Sequence, residues 1–545
     1  VTAVPGSLRN LSDWLARASN SCHRLHFRAS AVKFIFLASL VNAALYHRPL
    51  YSFAVTHLDG PSFDGFLILV TLFVVIFIFT ALALFLLFML SARLVKPICM
   101  LMALGNSIAL YFVATYHAVL DETMMGNVLH TDISEATSYL HPKLFLYLLV
   151  FGVLPAWLLA RIRIQRASRM RVAIYAGSTV VAALGWIYLS MSTWFWISQN
   201  GSSLRGMVMP WSWVINAVRH QAAQLGGPQE QTPLPAAVFA SNEKTVVILV
   251  IGESARAQNF SLYGYARSTN PLLAESGAIA LRNSVACSTY TRASLECMLS
   301  HTDNRSAFSD PYEPLPSYLQ RHGIDVVWRT KNWGEPPIQV QSYQRNRELK
   351  QDCGGPGCEY DEVLLNGLSE RIRSSKQQKV FVVLHQRGSH GPSYYAEYPE
   401  RFEVFTPVCK SVELNHCRNE ELVNAYDNTI LYTDYFLSRV IALLDDLPDT
   451  PAALMYVSDH GESLGEYGLY LHGTPFAIAP GFQKDIPFIV WMSHDFIDKK
   501  KISAAKVNVR DSHSQENVFH SVMGAFDMRS DIYDAQLDIF NPDEF

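Results

Sequence analysis

The sequence is short of charge, and shortest of acid in its first part. Only 17% of its 545 residues are Asp, Glu, Lys or Arg, and half are hydrophobic; a soluble chain carries about a quarter charged residues. Residues 1–204 hold 14 basic and 7 acidic side chains, net +7, while 205–545 hold 30 and 41, net −11 at an ordinary density. That division excludes a single soluble globule, and the apolar content excludes a disordered chain. No basic domain of the kind nucleic acid requires is present, so no nucleic-acid partner is expected. No Cys-x-x-Cys spacing occurs, which argues against a thiolate zinc site, and there is no internal repeat or low-complexity tract. No small-residue cleavage site follows the first apolar stretch, so a removed signal peptide is not expected. These absences leave a membrane part followed by a soluble part.

The uncharged run Gly65–Ala92 is the firmest membrane span, since about 20 apolar residues cross a bilayer core as helix. Five spans are expected, at about 29–47, 66–91, 98–120, 144–160 and 172–196. The first reaches spanning length only if Lys33 snorkels to the interface. With the N-terminus in the cytoplasm, the inner segments 1–33, 92–96 and 161–171 carry 12 Lys and Arg, and the outer segments carry only Arg48 and Lys143. The expected organisation is a transmembrane domain over 1–196, a linker with a bridging amphipathic helix over 197–242 and an extracytoplasmic domain over 243–545. Cysteine use agrees. Cys22 and Cys99 belong to the membrane half, and the other six fall into close neighbours: Cys287 with Cys297, Cys353 with Cys358, and Cys409 with Cys417. Local pairs in even number suggest disulfides in an oxidising compartment, and the periplasm is the economical location.

Beyond Lys244, short unalternated apolar runs recur: VVILVIG, VVWRT, VFVVLH and LMYVS. Such runs suit strands buried on both faces of a mainly parallel α/β sheet, in which ligands bind beyond the carboxyl ends of the strands. Glu253, His390, Asp459 and His460 each lie just after such a run. A single strand-end carboxylate more often caps a helix. Three acid or imidazole positions together, with His472 in LHG, suit a catalytic zinc with one position left open. A hydroxyl nucleophile activated by that metal would need no separate base. ACSTYTRASLECMLS offers Ser288, Thr289, Thr291 and Ser294, and composition does not choose among them.

The ordered motifs IGES, CSTYT, HQRGSHGP, NAYDNTILYTD, YVSDHGESLGE and YLHGTP resemble those of the phosphoethanolamine transferases of Gram-negative inner membranes. That family includes the EptA type and the mobile colistin-resistance enzymes. The resemblance covers nearly the whole chain and implies an alkaline phosphatase-like (sulfatase-like) periplasmic domain on a five-helix membrane bundle. It implies phosphatidylethanolamine as donor, lipid A of lipopolysaccharide as acceptor, and resistance to polymyxin and colistin as the consequence. By position in the motifs, Thr291 matches the nucleophile, and Glu253, Asp459 and His460 match the other ligands of a firmly bound Zn2+. His390 and His472 match histidines that contact the phosphoethanolamine group, act on the leaving oxygen or hold a second zinc. Thr289 and Asn332 match polar positions near the donor, and Asn127 and Glu135 match residues associated with the lipid head group. Without the resemblance, the loop 120–143 reads as an amphipathic interfacial helix.

Two departures stand out. Ser288 occupies a position usually held by Gly, and Pro336 falls where the lipid A enzymes commonly carry a lysine, with Lys331 nearby but out of register. Sibling enzymes that modify Kdo or heptose share the zinc core, so transfer to those sugars is the alternative. A glycerophosphate transferase, a sulfatase-like hydrolase and a membrane-anchored sensor with a degenerate site are more distant ones.

Overall fold

Apolar runs longer than a globular core can use become helices wherever proline and charge do not interrupt them. The computed structural model describes residues 27–58, 60, 62–116, 118, 120, 122–130, 137, 139–165, 167–224, 231–302, 312–502, 507 and 512–541. Of these, 27–130 and 140–221 form one compact unit, and 222–541 belong to the other.

Among the described residues of the first unit four helices are long and apolar enough to cross a membrane: α2 (Phe63–Leu90), α3 (Val95–Tyr116), α4 (Pro142–Arg161) and α5 (Arg169–Leu189). A shorter apolar helix, α1 (Ala31–Leu45), precedes them. Several boundaries differ from expectation for local reasons. Ser30 caps α1 by accepting from the Lys33 amide, and Phe27–Ser30 instead forms a strand, β1, paired in parallel with β2 (Ile162–Gln165). α3 starts early and takes in Lys96, whose ammonium donates to the carbonyls of Ala160 and Ile162 at 2.6 and 2.9 Å. α4 passes Pro155, which lacks an amide hydrogen, through a π-helical stretch, Leu148–Val153. The helix expected over 172–196 stops at Leu189, where the Ser190 and Thr193 hydroxyls bond back to the carbonyls of Trp186 and Ser190. The chain resumes as Thr193–Gln199, and the expected amphipathic stretch becomes α6 (Trp211–Gln224).

One group of polar side chains inside this unit is satisfied internally, as hydrocarbon surroundings favour. Asn106 donates to Asn42 Oδ1 at 2.9 Å, Asn42 donates to the Met209 carbonyl at 3.0 Å, and Trp213 Nε1 donates to Asn106 Oδ1 at 2.9 Å. His47, fully buried, accepts the Met209 amide at Nε2 and pairs Nδ1 with the Asn42 carbonyl. The network fastens α1, α3 and the start of α6 together.

The second unit is built on a seven-stranded sheet. Its strands in chain order are β3 (Thr245–Gly252), β4 (Ile279–Ala280), β5 (Asp325–Thr330), β6 (Ser342–Arg345), β7 (Lys379–His385), β8 (Ala452–Ser458) and β9 (Phe488–Met492). Their order across the sheet is β4-β9-β8-β3-β7-β5-β6. The five strands from β8 to β6 are mutually parallel, and β9 alone runs antiparallel to both its neighbours. Every residue of β3, β7 and β8 is buried, as expected of unalternated runs with helices on both faces. Val247, Leu249 and Ile251 point into one core with Leu295, Leu319 and Val518, while α8 (Asn419–Asp445) packs against β8.

The six soluble-part cysteines form three disulfides between near neighbours. Cys287 is joined to Cys297, Cys353 to Cys358, and Cys409 to Cys417. Each of Cys297, Cys358 and Cys417 is thus the partner of the cysteine that precedes it in the chain, closing loops separated by 10, 5 and 8 positions. Cys99 is free and buried. Cys22 lies outside the described residues.

α8 also organises the periphery. Its fully buried Asp434 accepts from the amides of Leu272 and Leu273, each at 2.9 Å, and so holds the first turn of the short helix Pro271–Glu275. Asp434→Ala would leave both amides without this partner, that of Leu273 in a buried position. We expect a loss of about 1–3 kcal/mol, read as a lower denaturation midpoint of the purified protein.

Candidate active site

The register of three neighbouring strands fixes the site. Ser458 pairs with Gly252 and Ile251 with His385, so the chains leaving β8, β3 and β7 emerge side by side. Glu253 follows β3, Asp459 and His460 follow β8, and His390 follows β7 after a short turn. Backbone hydrogen bonds lock the three exits: the Asp459 amide donates to the Gly252 carbonyl and the Ser389 amide to the Glu253 carbonyl, each at 3.0 Å. Gly388 has φ +54°, and a Cβ there would lie 2.9 Å from the Glu253 carbonyl oxygen, so this turn requires glycine.

The fourth contribution comes from a loop. Helix α7 (Thr291–Met298) begins at Thr291, and its N-cap, Tyr290, makes no side-chain cap. The Thr291 hydroxyl therefore does not cap its own helix. It donates to Glu253 Oε2 at 3.1 Å and lies 3.4 Å from His460 Nε2. Of the other hydroxyls in this segment, Thr289 donates to the Thr474 carbonyl at 2.6 Å and Ser294 to the Ser288 carbonyl at 3.4 Å. Of these three hydroxyls, the one brought against Glu253 and His460 is that of Thr291.

Glu253, Asp459 and His460 are fully buried. Glu253 is oriented by Ser254 Oγ and Asn332 Nδ2, each donating at 2.7 Å. Asp459 Oδ1 accepts the amides of Ser254 and His460, at 3.0 and 2.7 Å, but its Oδ2 has no hydrogen-bond partner among the described residues. His460 Nδ1 lies 2.9 Å from the Gly461 carbonyl, which assigns the proton to Nδ1 and a lone pair to Nε2. Burial first, and then His472, press the His460 pKa down to about 3, so the ring is neutral. Its Nε2 nonetheless faces Asp459 Oδ2 at 3.2 Å and Glu253 Oε1 at 3.5 Å. Burial, then the Glu253 charge, pushes the Asp459 carboxyl well above its usual range. Two buried carboxyl groups and a bare imidazole nitrogen facing one another cannot all stay unprotonated without a positive charge among them; a proton on Asp459 meets that need, and a bound cation would meet it too. Oxygen and nitrogen donors of this kind fit zinc at a catalytic site.

His472 adjoins the cluster. The donor atoms of Glu253, His460 and His472 all lie within 4.8 Å of one another. The His472 ring is 4.1 Å from that of His460 and 6.2 Å from that of His390, whose Nδ1 meets the Gly391 carbonyl at 2.7 Å. Burial disfavours the His472 cation, but Glu462, 3.4 Å from its Nδ1, outweighs it and holds the pKa above the ordinary value. Two non-glycine residues with positive φ flank these side chains, Ser254 at 54° and Leu471 at 64°. Such strain persists only where the surroundings impose it. A second grouping, Cys287, Cys297 and Glu516, has its two sulfurs joined to each other in the disulfide.

Two site residues were not singled out by sequence reasoning. Glu462 is fully buried beside His472, with no hydrogen-bond partner on either oxygen among the described residues, and the only signal was its place in the Asp-His-Gly-Glu run. Gln515, also fully buried, accepts the Cys287 amide at 2.9 Å and donates to the carbonyls of Ser458 and Asp459 at 2.8 and 2.6 Å. It ties the Thr291 loop to the Asp459 turn, and nothing in the sequence around it announces this.

The departures resolve in part. Lys331 donates to the Glu359 carbonyl at 2.7 Å and sits 3.8 Å from Asp361, so its ammonium is committed next to the loop closed by Cys353 and Cys358. Pro336 supplies no charge, and its neighbour Glu335 accepts from the Tyr343 hydroxyl. Gly334, two residues before Pro336, lies against Thr291, where a Cβ would be 3.2 Å from the threonine methyl. Asn127 falls on the helix Glu122–His130 of the first unit, and Glu135 lies outside the described residues.

A sulfatase-like, alkaline phosphatase-type domain with a strand-end carboxylate and imidazole cluster, joined to a membrane unit, defines a narrow class. The sulfatase family matches residues 245–528, and the family described as phosphoethanolamine transferase EptA/EptB matches residues 76–225. The chain is 39% identical over 503 residues to phosphoethanolamine transferase EptA of Helicobacter pylori, covering 90% of this chain and 92% of that one. It is 31% identical over 421 residues to phosphatidylethanolamine transferase Mcr-1 of Escherichia coli, covering 73% of this chain and 78% of that one. The solved structure of the integral membrane lipooligosaccharide phosphoethanolamine transferase A (EptA) of Neisseria meningitidis superposes with a TM-score of 0.87 at 27% identity, covering 94% and 98% of the two chains. The chain belongs to the EptA family of phosphoethanolamine transferases.

Gln515→Ala would strand one amide and two carbonyls and free the 287–291 loop from the Asp459 turn. We expect a loss of about 1–3 kcal/mol in unfolding free energy, read by chemical denaturation.

Proposed function

We propose that this protein moves phosphoethanolamine from phosphatidylethanolamine to a lipid A phosphate of lipopolysaccharide, and so lowers sensitivity to polymyxins. The observation that carries the reading is the meeting of the Thr291 hydroxyl with Glu253 and His460 in a buried donor cluster. Family membership and the names of its relatives, which specify phosphatidylethanolamine and lipooligosaccharide, support the donor and the acceptor class.

Glu253, Thr291, Asp459 and His460 would hold one Zn2+, and His472 with His390 stands ready for a second or for the donor head group. A bound zinc ion would lower the pKa of the Thr291 hydroxyl and neutralise charge on the phosphoryl oxygens. Thr291 Oγ1 gives up its proton to solvent water and attacks the donor phosphorus. The bond from phosphorus to the diacylglycerol oxygen breaks, and His390 or His472 protonates that leaving oxygen. Phosphoethanolamine remains on Thr291 as an ester, and an acceptor phosphate oxygen then displaces the threonine. Ser254 and Asn332 keep Glu253 turned toward the reacting oxygen throughout. His472, paired with Glu462, is the better placed of the two histidines to hold and return a proton.

The membrane part, 1–196 with five spans and a cytoplasmic N-terminus, would present both lipids to a periplasmic domain over 243–545 through the linker 197–242. The positive-inside asymmetry and the four long apolar helices plus α1 support that arrangement. Asn127 and Glu135 are proposed to meet the lipid head group, and Thr289 and Asn332 the donor. Transfer to Kdo or heptose is the second reading, favoured by the uncharged Pro336 position.

Thr291→Ala is expected to cut transfer by at least about a thousandfold while leaving the unfolding midpoint near that of the unaltered protein. Mass spectrometry of lipid A and core sugars from cells expressing either form reads the outcome and locates the added group. Full transfer by the variant would refute the assignment of Thr291. Metal analysis of the purified protein is expected to find at least one zinc, with chelation abolishing transfer and zinc restoring it.

A further inference from the structure

His385 is the histidine of the HQRGSHGP motif that the chemistry at Thr291 leaves unused. It ends β7, is fully buried and stands level with Thr330, the last residue of β5, in the parallel register. Burial presses its pKa down against the pull of Glu335, Glu253 and Asp361, so the ring is neutral and carries one N–H. Its Nε2 has no hydrogen-bond partner among the described residues, and its Nδ1 lies 3.3 Å from the Thr330 hydroxyl oxygen. The ring of Trp328 packs beside it, edge to face, with centroids 6.4 Å apart.

A hydroxyl has one hydrogen to donate and two lone pairs with which to accept. Thr330 Oγ1 donates to the Asn332 carbonyl at 2.7 Å and accepts the Asn332 amide at 3.0 Å. Its hydrogen is therefore committed, so at the contact with His385 the imidazole donates, which assigns the ring proton to Nδ1. Every site on the Thr330 oxygen is then filled. The oxygen closes the turn at Asn332 from within, and His385 holds the oxygen.

What this turn carries is Asn332. Its Nδ2 donates at 2.7 Å to Glu253 Oε2, the same oxygen that the Thr291 hydroxyl meets at 3.1 Å. Two residues on, Gly334 lies against the Thr291 methyl group, so a shift of the turn would disturb both partners. The bonds run in series from His385 through Thr330 and Asn332 to Glu253.

We infer that His385 and Thr330 are positioning residues for the reaction: the Nδ1–H of His385 fixes the Thr330 hydroxyl, which fixes Asn332 against Glu253. The inference rests on the transfer proposed for Thr291.

The test uses the full-length protein in detergent, with acyl-labelled phosphatidylethanolamine as donor and purified lipid A as acceptor, and rates followed over a range of donor concentration. Thr330→Val keeps the shape and removes the hydroxyl. It is expected to lower kcat about 10–100-fold, as is usual for groups that orient a carboxylate of a reacting site, with KM changed by no more than about twofold. Thr330→Ser, which restores the hydroxyl, should return most of the rate. Two amides at position 385 separate the ring nitrogens, because Asn places an N–H where Nδ1 stands and Gln reaches only the Nε2 position. His385→Asn should transfer near the unaltered rate, and His385→Gln at about a tenth of it or less. Should Thr330→Val not fold, this pair of similarly polar variants still decides. Transfer by Thr330→Val at the unaltered rate would overturn the inference. So would equal rates for the two amides, or losses that merely follow the unfolding midpoints of the four variants. If the unaltered protein itself moves no phosphoethanolamine, the reading of Thr291 fails, and the inference falls with it.

Discussion

Placing two carboxylates, Glu253 and Asp459, side by side in a fully buried site is the constraint on which the rest of the soluble unit depends. Two anions side by side there would be strongly disfavoured, so the pair must share a proton or a cation. The surrounding structure supplies hydrogen bonds to three of the four oxygens and leaves Asp459 Oδ2 without one. With the His460 proton assigned to Nδ1, the free lone pair at Nε2 faces the same point. Such an arrangement would suit a bound cation, and the register of the sheet holds it in place. Ser458 level with Gly252, and Ile251 level with His385, are what bring the exits together.

Several costs in the fold follow from that placement. Ser254 and Leu471 are held at positive φ, and Gly388 is squeezed against the Glu253 backbone. Gln515 commits its whole amide to joining the Thr291 loop to the Asp459 turn. These devices are far apart in sequence and converge on one threonine oxygen. A hydroxyl presented by the first turn of a helix, with those of Thr289 and Ser294 already engaged, would suit the proposed transfer through a covalent ester.

Much of this was legible in the residues themselves. Unalternated runs such as VVILVIG and LMYVS announced buried parallel strands, and the strand-end positions of Glu253, Asp459 and His460 followed from them. The nearness in sequence of Cys353 to Cys358, and of Cys409 to Cys417, announced their joining in the same way. Thr291 was not legible from chemistry, because Ser288, Thr289 and Ser294 carry equivalent hydroxyls and only tertiary packing separates them. Glu462 and Gln515 stayed hidden for the same reason, since their partners come from other loops. In the membrane unit, hydropathy found the apolar segments but not their ends. Those were set by single polar contacts: Ser30 capping α1, Lys96 reaching two carbonyls at the end of α4, and Ser190 closing α5. The pairing of β1 with β2 had no signal, because a short basic segment such as Arg-Ile-Arg-Ile reads equally as a loop.

The central claim is that Thr291 carries the transferred group. Peptide mass spectrometry of the purified protein, incubated with phosphatidylethanolamine in the absence of acceptor, tests it most directly. The account predicts a phosphoethanolamine ester on the peptide containing Thr291, lost when lipopolysaccharide is added. Transfer that proceeds with Thr291 unmodified, or with the ester on another residue, would contradict it.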